Sequence, residues 1–293
     1  MRTQRFGRTG LDVSVIGQGT WNIETFDRML AIKAFHRGLE LGMTHIDTAY
    51  DYGNGAAEEF VGEALQGKRE QAFLVSKVLP AVADYQGTIK ACEWSLKRLK
   101  TDYLDSLLLH WWENNPLEET LRAFEKLEAE GKIRSYGVSN FSLKELKQAV
   151  ALVGEGRIAC HQVVYNMQAR DIENEMLEWC KTKDIAVVGY APYGDVRAPE
   201  TLFAETLKKS AGKIQEIAEQ HGVSTRNVVI AFLLRAGVFT IPKGERPEFA
   251  EDNAKAASLG LTAENCRLLE ALFPVPAKRP IPFTNDYYEA QSS

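Results

Sequence analysis

Four residues of this sequence have side chains that could together carry out acid–base chemistry: Asp47, Tyr52, Lys77 and His110. Asp47, Lys77 and His110 each end a short apolar run, and Tyr52 follows Asp47 just before a glycine turn. Lowering the pKa of a phenol from about 10 by about three units requires roughly 4 kcal/mol, which one ammonium about 4 Å away can supply. We therefore predict that Lys77, kept protonated by Asp47, lowers the pKa of Tyr52. Tyr52 would then give a proton to a carbonyl that receives hydride, with His110 fixing the carbonyl oxygen.

Each of these residues also has a plainer interpretation when it is taken alone. Asp47 and Lys77 fit a structural ion pair, and Tyr52 fits a loop aromatic whose hydroxyl faces water. A histidine that ends an apolar strand is more often a core residue with satisfied hydrogen bonds than a catalyst. The presence of all four at the ends of neighbouring strands favours catalysis.

A regular alternation of strands and helices is expected to position these side chains. Strands are predicted at 13–17, 43–47, 72–76, 104–109, 133–138, 158–164, 185–190 and 238–241. Helices are predicted at 28–41, 58–65, 87–99, 173–183, 213–220, 225–234 and 264–273, after Pro116, and after a capping box at Ser142–Glu145, with 191–209 irregular. Eight alternations without a linker predict one α/β domain, a (β/α)8 TIM barrel over 1–293 with 274–293 as a C-terminal tail near the active site. An open doubly wound sheet is the alternative fold, but no strand is followed by G-x-G-x-x-G.

Other polar residues are expected at the C-terminal ends of the barrel strands, where function gathers in such folds. Ser139 imitates a nucleophile elbow but lacks the closing glycine, so a polar strand end or a ligand contact is favoured. His45, His110 and His161 suggest a metal site, but His161 precedes Gln162 in a strand, so those two side chains face opposite ways. We therefore predict no metal.

The composition describes a soluble globular protein and excludes several classes of function. The 293 residues are 45% hydrophobic and 26% charged, with a formal net charge of −5. No basic tract interleaved with aromatics indicates nucleic-acid binding, and no run approaches membrane-spanning length. The four scattered cysteines make no C-x-x-C and predict reduced, mostly buried thiols in a cytoplasmic protein.

The chain resembles the aldo-keto reductase superfamily along nearly its whole length, from Phe6 to Asn253. Each motif alone is weak, but their order and spacing are specific. The matching segments are 6–10, 17–21, 45–53, 76–77, 109–111, 137–141, Gln162 with 165–166, 189–192, 241–243 and 252–253. The glycine-rich spacing after Tyr52 is closer to the microbial and channel-subunit branches than to the mammalian aldose-reductase branch.

The resemblance implies a barrel that binds a nicotinamide dinucleotide without a Rossmann domain. It implies the catalytic roles given above for the four residues. By the same resemblance Ser139, Asn140 and Gln162 hold the carboxamide, and Tyr190 stacks on the nicotinamide ring. Lys243 meets the adenosine 2′-phosphate, and Asp252 and Asn253 meet the adenine. The remaining cofactor contacts are expected at Gly19, Thr20, Trp21, Gly244 and Arg246.

The segment expected to bind the 2′-phosphate departs from the family pattern. Gly244 stands where the family usually has serine, and Phe249 stands where it has an arginine that grips the phosphate. Arg246 is close enough in sequence to substitute, and arginine suits a phosphate. We therefore predict NADP(H) as the cofactor, with NAD(H) as the alternative.

We thus predict an NADP(H)-dependent oxidoreductase that reduces aldehydes or ketones to alcohols. Trp21, Trp111 and Trp112 are expected to wall an apolar pocket for the small carbonyl substrate. The stretch 191–209 and the tail, with Phe283, Tyr287 and Tyr288, are expected to shape it.

Two other classes of function remain as alternatives. The first is a regulatory protein that binds the nucleotide with negligible turnover, as in the channel-subunit branch. The second is a lyase that forms a Schiff base on Lys77. Asp47 argues against this lyase, because a paired lysine stays protonated.

Overall fold

The structure is a computed structural model that describes residues 1–113, 115–194, 199–276, 281–282 and 284. Phe283, Tyr287 and Tyr288, which are predicted to shape the substrate pocket, lie outside these residues. No helix among the described residues is long and apolar enough to cross a membrane.

The strands form a small hairpin and one large parallel sheet. The hairpin is antiparallel and consists of β1 (Thr3–Arg5) and β2 (Asp12–Ser14). The parallel sheet consists of β3 (Gln18–Gly19), β4 (His45–Asp47), β5 (Phe73–Val78), β6 (Ser106–Leu109), β7 (Tyr136–Ser139), β8 (Ile158–Val164), β9 (Ala186–Tyr190) and β10 (Phe239–Thr240). These eight strands are neighbours in chain order, and the backbone N–H of Gly17 donates to Thr240 O over 2.8 Å to join the two edges. The predicted (β/α)8 barrel is confirmed, and the doubly wound sheet is excluded because that fold requires a reversed strand order.

Eleven α-helices are present in the part of the chain that the structure describes. They are α1 (Arg28–Glu40), α2 (Ala56–Ala64), α3 (Tyr85–Leu99), α4 (Leu117–Ala129), α5 (Leu143–Val153), α6 (Met176–Thr182), α7 (Pro199–Lys209), α8 (Lys213–His221), α9 (Thr225–Leu234), α10 (Pro247–Lys255) and α11 (Ala263–Leu272). The predicted capping box is confirmed, because the side chains of Ser142 and Glu145 each accept the backbone N–H of the other. The prediction that 191–209 is irregular is wrong for α7, and α10 was not predicted.

The predicted first barrel strand at 13–17 is wrong in its bounds, because Val13 and Ser14 belong to the hairpin. Ile16 forms an isolated parallel bridge with Thr240, and the first barrel strand, β3, begins at Gln18. The turn of the hairpin carries Phe6, whose fully buried ring packs 4.6 Å from Phe73 and 5.1 Å from the Phe239 ring, measured between centroids. The hairpin therefore closes the N-terminal end of the barrel and leaves the C-terminal end for a site.

Clusters of buried apolar residues stabilise the fold, and the two largest occupy different layers. One fills the barrel and includes Phe73, Leu108 and Cys160, whereas the larger one lies between the strands and the surrounding helices. Cys92, Cys160 and Cys180 are buried, and Cys266 is half-buried. Burial raises the pKa of each of the three buried thiols to about 12. The predicted scattered, mostly buried thiols are confirmed.

Two fully buried histidines make the fold sensitive to acid. Burial is the largest effect on both, and it lowers the pKa of His45 to about 4 and that of His161 to about 3. Below about pH 6.5 these two imidazoles bind protons in the unfolded chain but stay unprotonated in the native state. The unfolding free energy contributed by the neutral rings is therefore fully present above about pH 6.5. It is lost as the pH falls toward the pKa values of the folded protein, at roughly 1.4 kcal/mol per pH unit for each histidine.

His45→Leu is expected to reduce this sensitivity. Both ring nitrogens of His45 lack hydrogen-bond partners among the residues that the structure describes, and the ring packs edge-on to Phe6 and Phe73 at centroid distances of 5.6 and 5.7 Å. Between about pH 7 and about pH 5 the variant should lose roughly 2 kcal/mol less unfolding free energy than the wild type in urea titrations. Phe73→Leu is the matched control, because it opens the same cluster without changing a titrating group. An equal loss in His45→Leu and the wild type would contradict the prediction.

Candidate active site

A buried ion pair lies at the C-terminal end of the barrel. The Lys77 ammonium, on β5, donates to Asp47 Oδ1 on β4 over 2.6 Å and to the Thr48 carbonyl over 2.9 Å. Asp47 and Lys77 are each 1% exposed. A charge removed from water to this extent is tolerated only because its partner and further hydrogen bonds replace the water. Sequence analysis did not identify the Thr48 carbonyl, because a backbone acceptor leaves no signal in residue type.

Tyr52 lies on the loop between β4 and α2 and meets the same ammonium. Lys77 Nζ donates to the Tyr52 hydroxyl oxygen over 3.2 Å and sits 4.9 Å from the centroid of its half-buried ring. The loop turns sharply after this residue, where Gly53 has a φ of 61° in the left-handed region that favours glycine. A β-carbon on Gly53 would also approach the Glu24 carboxyl to 2.7 Å. Close packing of this glycine thus positions the phenol over Lys77.

His110 completes the predicted group of four. It follows β6, and its ring stands edge-on to Tyr52 with the centroids 5.9 Å apart. Its Nδ1 atom is buried and has no hydrogen-bond partner among the described residues. The structure therefore brings the four predicted residues together on β4, β5, β6 and the loop after β4.

The protonation states of this group follow from burial and from one charge. Burial is the largest effect on the pKa of Tyr52 and raises it above the ordinary value of 10.0, against the smaller lowering by Lys77. The predicted lowering of this pKa is therefore wrong, because the phenol loses more hydration than one ammonium replaces. Burial alone would lower the pKa of Lys77, but Asp47 and Tyr52 raise it. Burial and then Lys77 lower the pKa of His110 well below 6.5. At neutral pH the group is a phenol, an ammonium and a neutral imidazole.

A second row of polar side chains comes from β7, β8 and β9. Gln162 Nε2 donates to the second oxygen of Asp47 over 2.7 Å. Asn140, in the left-handed region at a φ of 58°, donates from Nδ2 to the His110 carbonyl over 3.0 Å and to Ser139 Oγ over 3.2 Å. The Tyr190 hydroxyl donates to Asn140 Oδ1 over 2.8 Å. The backbone N–H of Asn140 also donates to the Gln162 carbonyl over 2.9 Å, so these four predicted contact residues form one network with the ion pair.

The other predicted cofactor residues lie at two further places. At the end of β3, Thr20 Oγ1 donates to the Asp47 carbonyl over 2.9 Å. A β-carbon on Gly19 would stand 2.5 Å from the Ile241 carbonyl oxygen, so closure of the barrel requires glycine there. After β10, Asn253 Nδ2 donates to the Lys243 carbonyl over 3.3 Å, and Gly244 packs close to α10.

The remaining residues near α10 differ in how they are held. Ser224 Oγ donates to Asp252 Oδ2 over 2.7 Å, which ties the start of α9 to α10. Arg246, the N-cap of α10, is exposed and makes no side-chain capping bond.

The three predicted pocket tryptophans do not share one environment. Trp111 lies 4.8 Å from His110 between ring centroids, and the Lys243 ammonium is 5.8 Å from the centroid of Trp21. The Trp112 ring instead stacks on the buried Phe141 at 6.1 Å and packs with the outer apolar layer. Trp21 and Trp111 are therefore the better candidates for a pocket wall.

A comparison with protein families identifies the type of barrel. A profile of the Aldo/keto reductase family matches residues 15–273. The chain belongs to the aldo/keto reductase family.

Several relatives of this aldo/keto reductase carry names that state an activity. A methylglyoxal reductase of Escherichia coli (strain K12) is 41% identical over 270 residues, which cover 90% of this chain and 93% of the relative. A glyoxal reductase of Bacillus subtilis (strain 168) is 32% identical over 266 residues, which cover 90% of each chain.

Solved structures of aldo/keto reductases have the same architecture. An aldo/keto reductase from Klebsiella pneumoniae, in complex with NADP and acetate, superposes with a TM-score of 0.84 at 37% identity and covers 96% of this chain and 99% of its own. The thermostable aldo-keto reductase Tm1743, in complex with the inhibitor epalrestat, gives a TM-score of 0.84 at 36% identity and covers 93% of this chain and 100% of its own.

This aldo/keto reductase also holds a buried carboxylate that sequence analysis missed. Glu58, fully buried at the start of α2, accepts from Ser76 Oγ and from Arg98 Nε over 2.6 Å each. Arg98 in turn lies 4.8 Å from the centroid of Tyr50, on the loop that carries Tyr52. An acidic residue in the first turn of a helix is read as a dipole partner, so its burial could not be recognised from sequence.

Proposed function

We propose that this protein reduces small aldehydes and ketones with NADP(H), and that Tyr52 is the proton donor. The observation that carries the proposal is the buried ammonium of Lys77, which contacts both Asp47 and the Tyr52 hydroxyl. The names of the relatives favour small 2-oxoaldehydes such as methylglyoxal and glyoxal as substrates.

The residues at the C-terminal end of the barrel fit a nicotinamide dinucleotide. Ser139, Asn140 and Gln162 present hydroxyl and amide groups, which match the donors and acceptors of a carboxamide. The half-buried ring of Tyr190 offers a flat surface for an aromatic ring. Lys243 provides a cation for a phosphate near α10.

The bound cofactor would supply hydride to the carbonyl carbon. Tyr52 would give its proton to the carbonyl oxygen as negative charge develops there. Lys77 would stabilise the resulting tyrosinate, because its ammonium already contacts the hydroxyl oxygen. Asp47 holds that ammonium in place, and the neutral imidazole of His110 keeps one N–H for the same carbonyl oxygen.

The two alternative functions make different demands on these residues. A Schiff-base lyase needs Lys77 as a free amine, and the raised pKa of Lys77 argues against that state. A regulatory protein that only binds nucleotide requires negligible turnover.

The proposed function is tested by fluorescence titration with NADPH and NADH, followed by a panel of aldehydes and ketones monitored through nicotinamide absorbance. NADPH binding with turnover of methylglyoxal and glyoxal is the expected result. Binding without turnover on any carbonyl would support the regulatory alternative, and no binding of either nucleotide would overturn the proposal. Borohydride trapping of a substrate on Lys77 would instead support the lyase.

The dependence of the two reaction directions on pH should differ. The pKa of Tyr52 is raised and that of His110 is lowered, so carbonyl reduction, which needs the phenol and the neutral imidazole, should vary less than about threefold in kcat/KM from about pH 6 to about pH 9. Alcohol oxidation needs the tyrosinate and should rise up to about tenfold per pH unit over that range. Steady-state rates in both directions test this. A reduction rate that falls with a midpoint near neutrality would contradict it.

A further inference from the structure

Arg226, in the first turn of α9, lies among three aromatic rings from three other segments. Its guanidinium carbon is 4.6 Å from the centroid of Tyr193, 5.3 Å from that of Phe203 and 6.0 Å from that of Phe249. We call these three rings the aromatic cage. Arg226 is half-buried and forms no ion pair with a carboxylate in the part of the chain that the structure describes. A half-buried guanidinium is usually paired with an anion, so Arg226 is a candidate for binding the anionic group of a ligand.

Hydrogen bonds connect the aromatic cage to the segment that carries Lys243. The Tyr193 hydroxyl donates to Asn253 Oδ1 over 2.8 Å, and Asn253 Nδ2 donates to the Lys243 carbonyl over 3.3 Å. Asn227, next to Arg226, donates from Nδ2 to the Asp252 carbonyl over 2.6 Å. The first turn of α9 is thus fixed against α10, beside the segment in which Lys243 is expected to meet a phosphate.

Two arginines near this segment differ in how firmly they are held. Arg246 is exposed, and its side chain would lose considerable rotamer freedom on binding an anion. Arg226 is already confined by the aromatic cage, whose faces attract a cation, and by a side-chain hydrogen bond with Tyr193 that leaves other N–H donors of its guanidinium for an anion. A confined guanidinium binds a phosphate with less entropic loss, so Arg226 is the better placed of the two.

We propose that Arg226 binds the adenosine 2′-phosphate of NADPH together with Lys243, and that it determines the preference for NADPH over NADH. This inference rests on the proposed function, because it assumes that the nucleotide binds at this end of the barrel. In this protein the guanidinium would come from α9, whereas Phe249 of α10 contributes a wall of the aromatic cage. The guanidinium would donate two parallel N–H hydrogen bonds to oxygens of the phosphate dianion.

Isothermal titration with adenosine 2′,5′-bisphosphate and adenosine 5′-monophosphate tests this inference without the reaction. Arg226→Gln should weaken the bisphosphate by about 10- to 100-fold and the monophosphate by less than about twofold, since a hydrogen bond to a charged group is lost for only one of them. Lys243→Ala should show the same selectivity. Arg226→Lys keeps the positive charge but loses the paired N–H donors of the guanidinium, so its loss of affinity for the bisphosphate should be intermediate. Arg267→Gln removes an exposed arginine of α11 and controls for net charge.

Other outcomes separate this inference from the proposed function. Equal weakening of both probes in Arg226→Gln would assign Arg226 a purely structural role and overturn the inference. Unchanged bisphosphate affinity in Arg226→Gln, while the wild type reduces aldehydes with NADPH, would also overturn it and leave the proposed function standing. A wild type that binds neither NADPH nor the bisphosphate would contradict both. Should Arg226→Gln fail to fold, the selectivity of Arg226→Lys decides.

Discussion

Replacing Tyr52 by phenylalanine should reduce the rate of carbonyl reduction by roughly 10²- to 10⁴-fold, the range expected when a general acid is removed. The affinity for NADPH should change by less than about twofold. The reason is geometric, because among the described residues the hydroxyl accepts from Lys77 Nζ over 3.2 Å and forms no hydrogen bond with Asp47 or His110. The ring keeps its place beside His110 in the variant. Stopped-flow measurement of hydride transfer, with fluorescence titration of NADPH, separates the chemical step from binding.

Tyr50→Phe is the matched control for this experiment. Tyr50 lies two residues earlier on the same loop, is 37% exposed and stacks under Arg98 rather than reaching Lys77. Its loss of a hydroxyl should leave the hydride-transfer rate within about twofold, since no proton passes through it. A rate in Tyr52→Phe that matches the Tyr50→Phe control would refute the assignment of the proton donor.

Lys77→Met should both abolish reduction and destabilise the fold by roughly 3–5 kcal/mol, the usual result of leaving a buried charge without its partner. Asp47 is 1% exposed, and after this change Gln162 would be the one side chain among the described residues that donates to its carboxylate. Urea unfolding monitored by fluorescence, with the slope of the transition compared, measures the loss.

The double variant Asp47→Asn/Lys77→Met separates the structural effect from the chemical one. It removes both charges, so most of the stability lost in Lys77→Met should return. Reduction should stay abolished, because no ammonium remains to stabilise a tyrosinate. Lys77→Met with wild-type stability would show that the ion pair is dispensable for folding. Recovery of activity in the double variant would show that Tyr52 needs no cation.

Much of the barrel and of its site was predictable because charges end apolar runs. Asp47 and Lys77 stand where a buried strand meets a loop, and strand alternation alone brings such positions to one end of a parallel barrel. The positions of these two residues thus predicted the ion pair between Asp47 and Lys77 that the structure contains.

Other features could not be predicted, because they depend on desolvation and on distant contacts. The direction of the pKa shift at Tyr52 depends on how much water the folded loop excludes from the phenol. That exclusion cannot be predicted from residue types. Val13 was assigned to the barrel, although a short β-branched run fits a hairpin strand equally well. Residue types alone therefore could not decide between the two. Arg226 belongs to no motif, and its aromatic cage is assembled from segments around residues 193, 203 and 249.

The buried thiols have a consequence for an enzyme that would handle reactive aldehydes. Such aldehydes are electrophiles that thiolates attack, so a reductase risks chemical modification by its own substrates. With a pKa of about 12, Cys92, Cys160 and Cys180 would each be ionised on the order of one part in 10⁵ at neutral pH, and their burial blocks approach. Cys266, which is half-buried, is the remaining target of the four. A thiol-directed alkylating label on the folded protein should therefore modify Cys266 first.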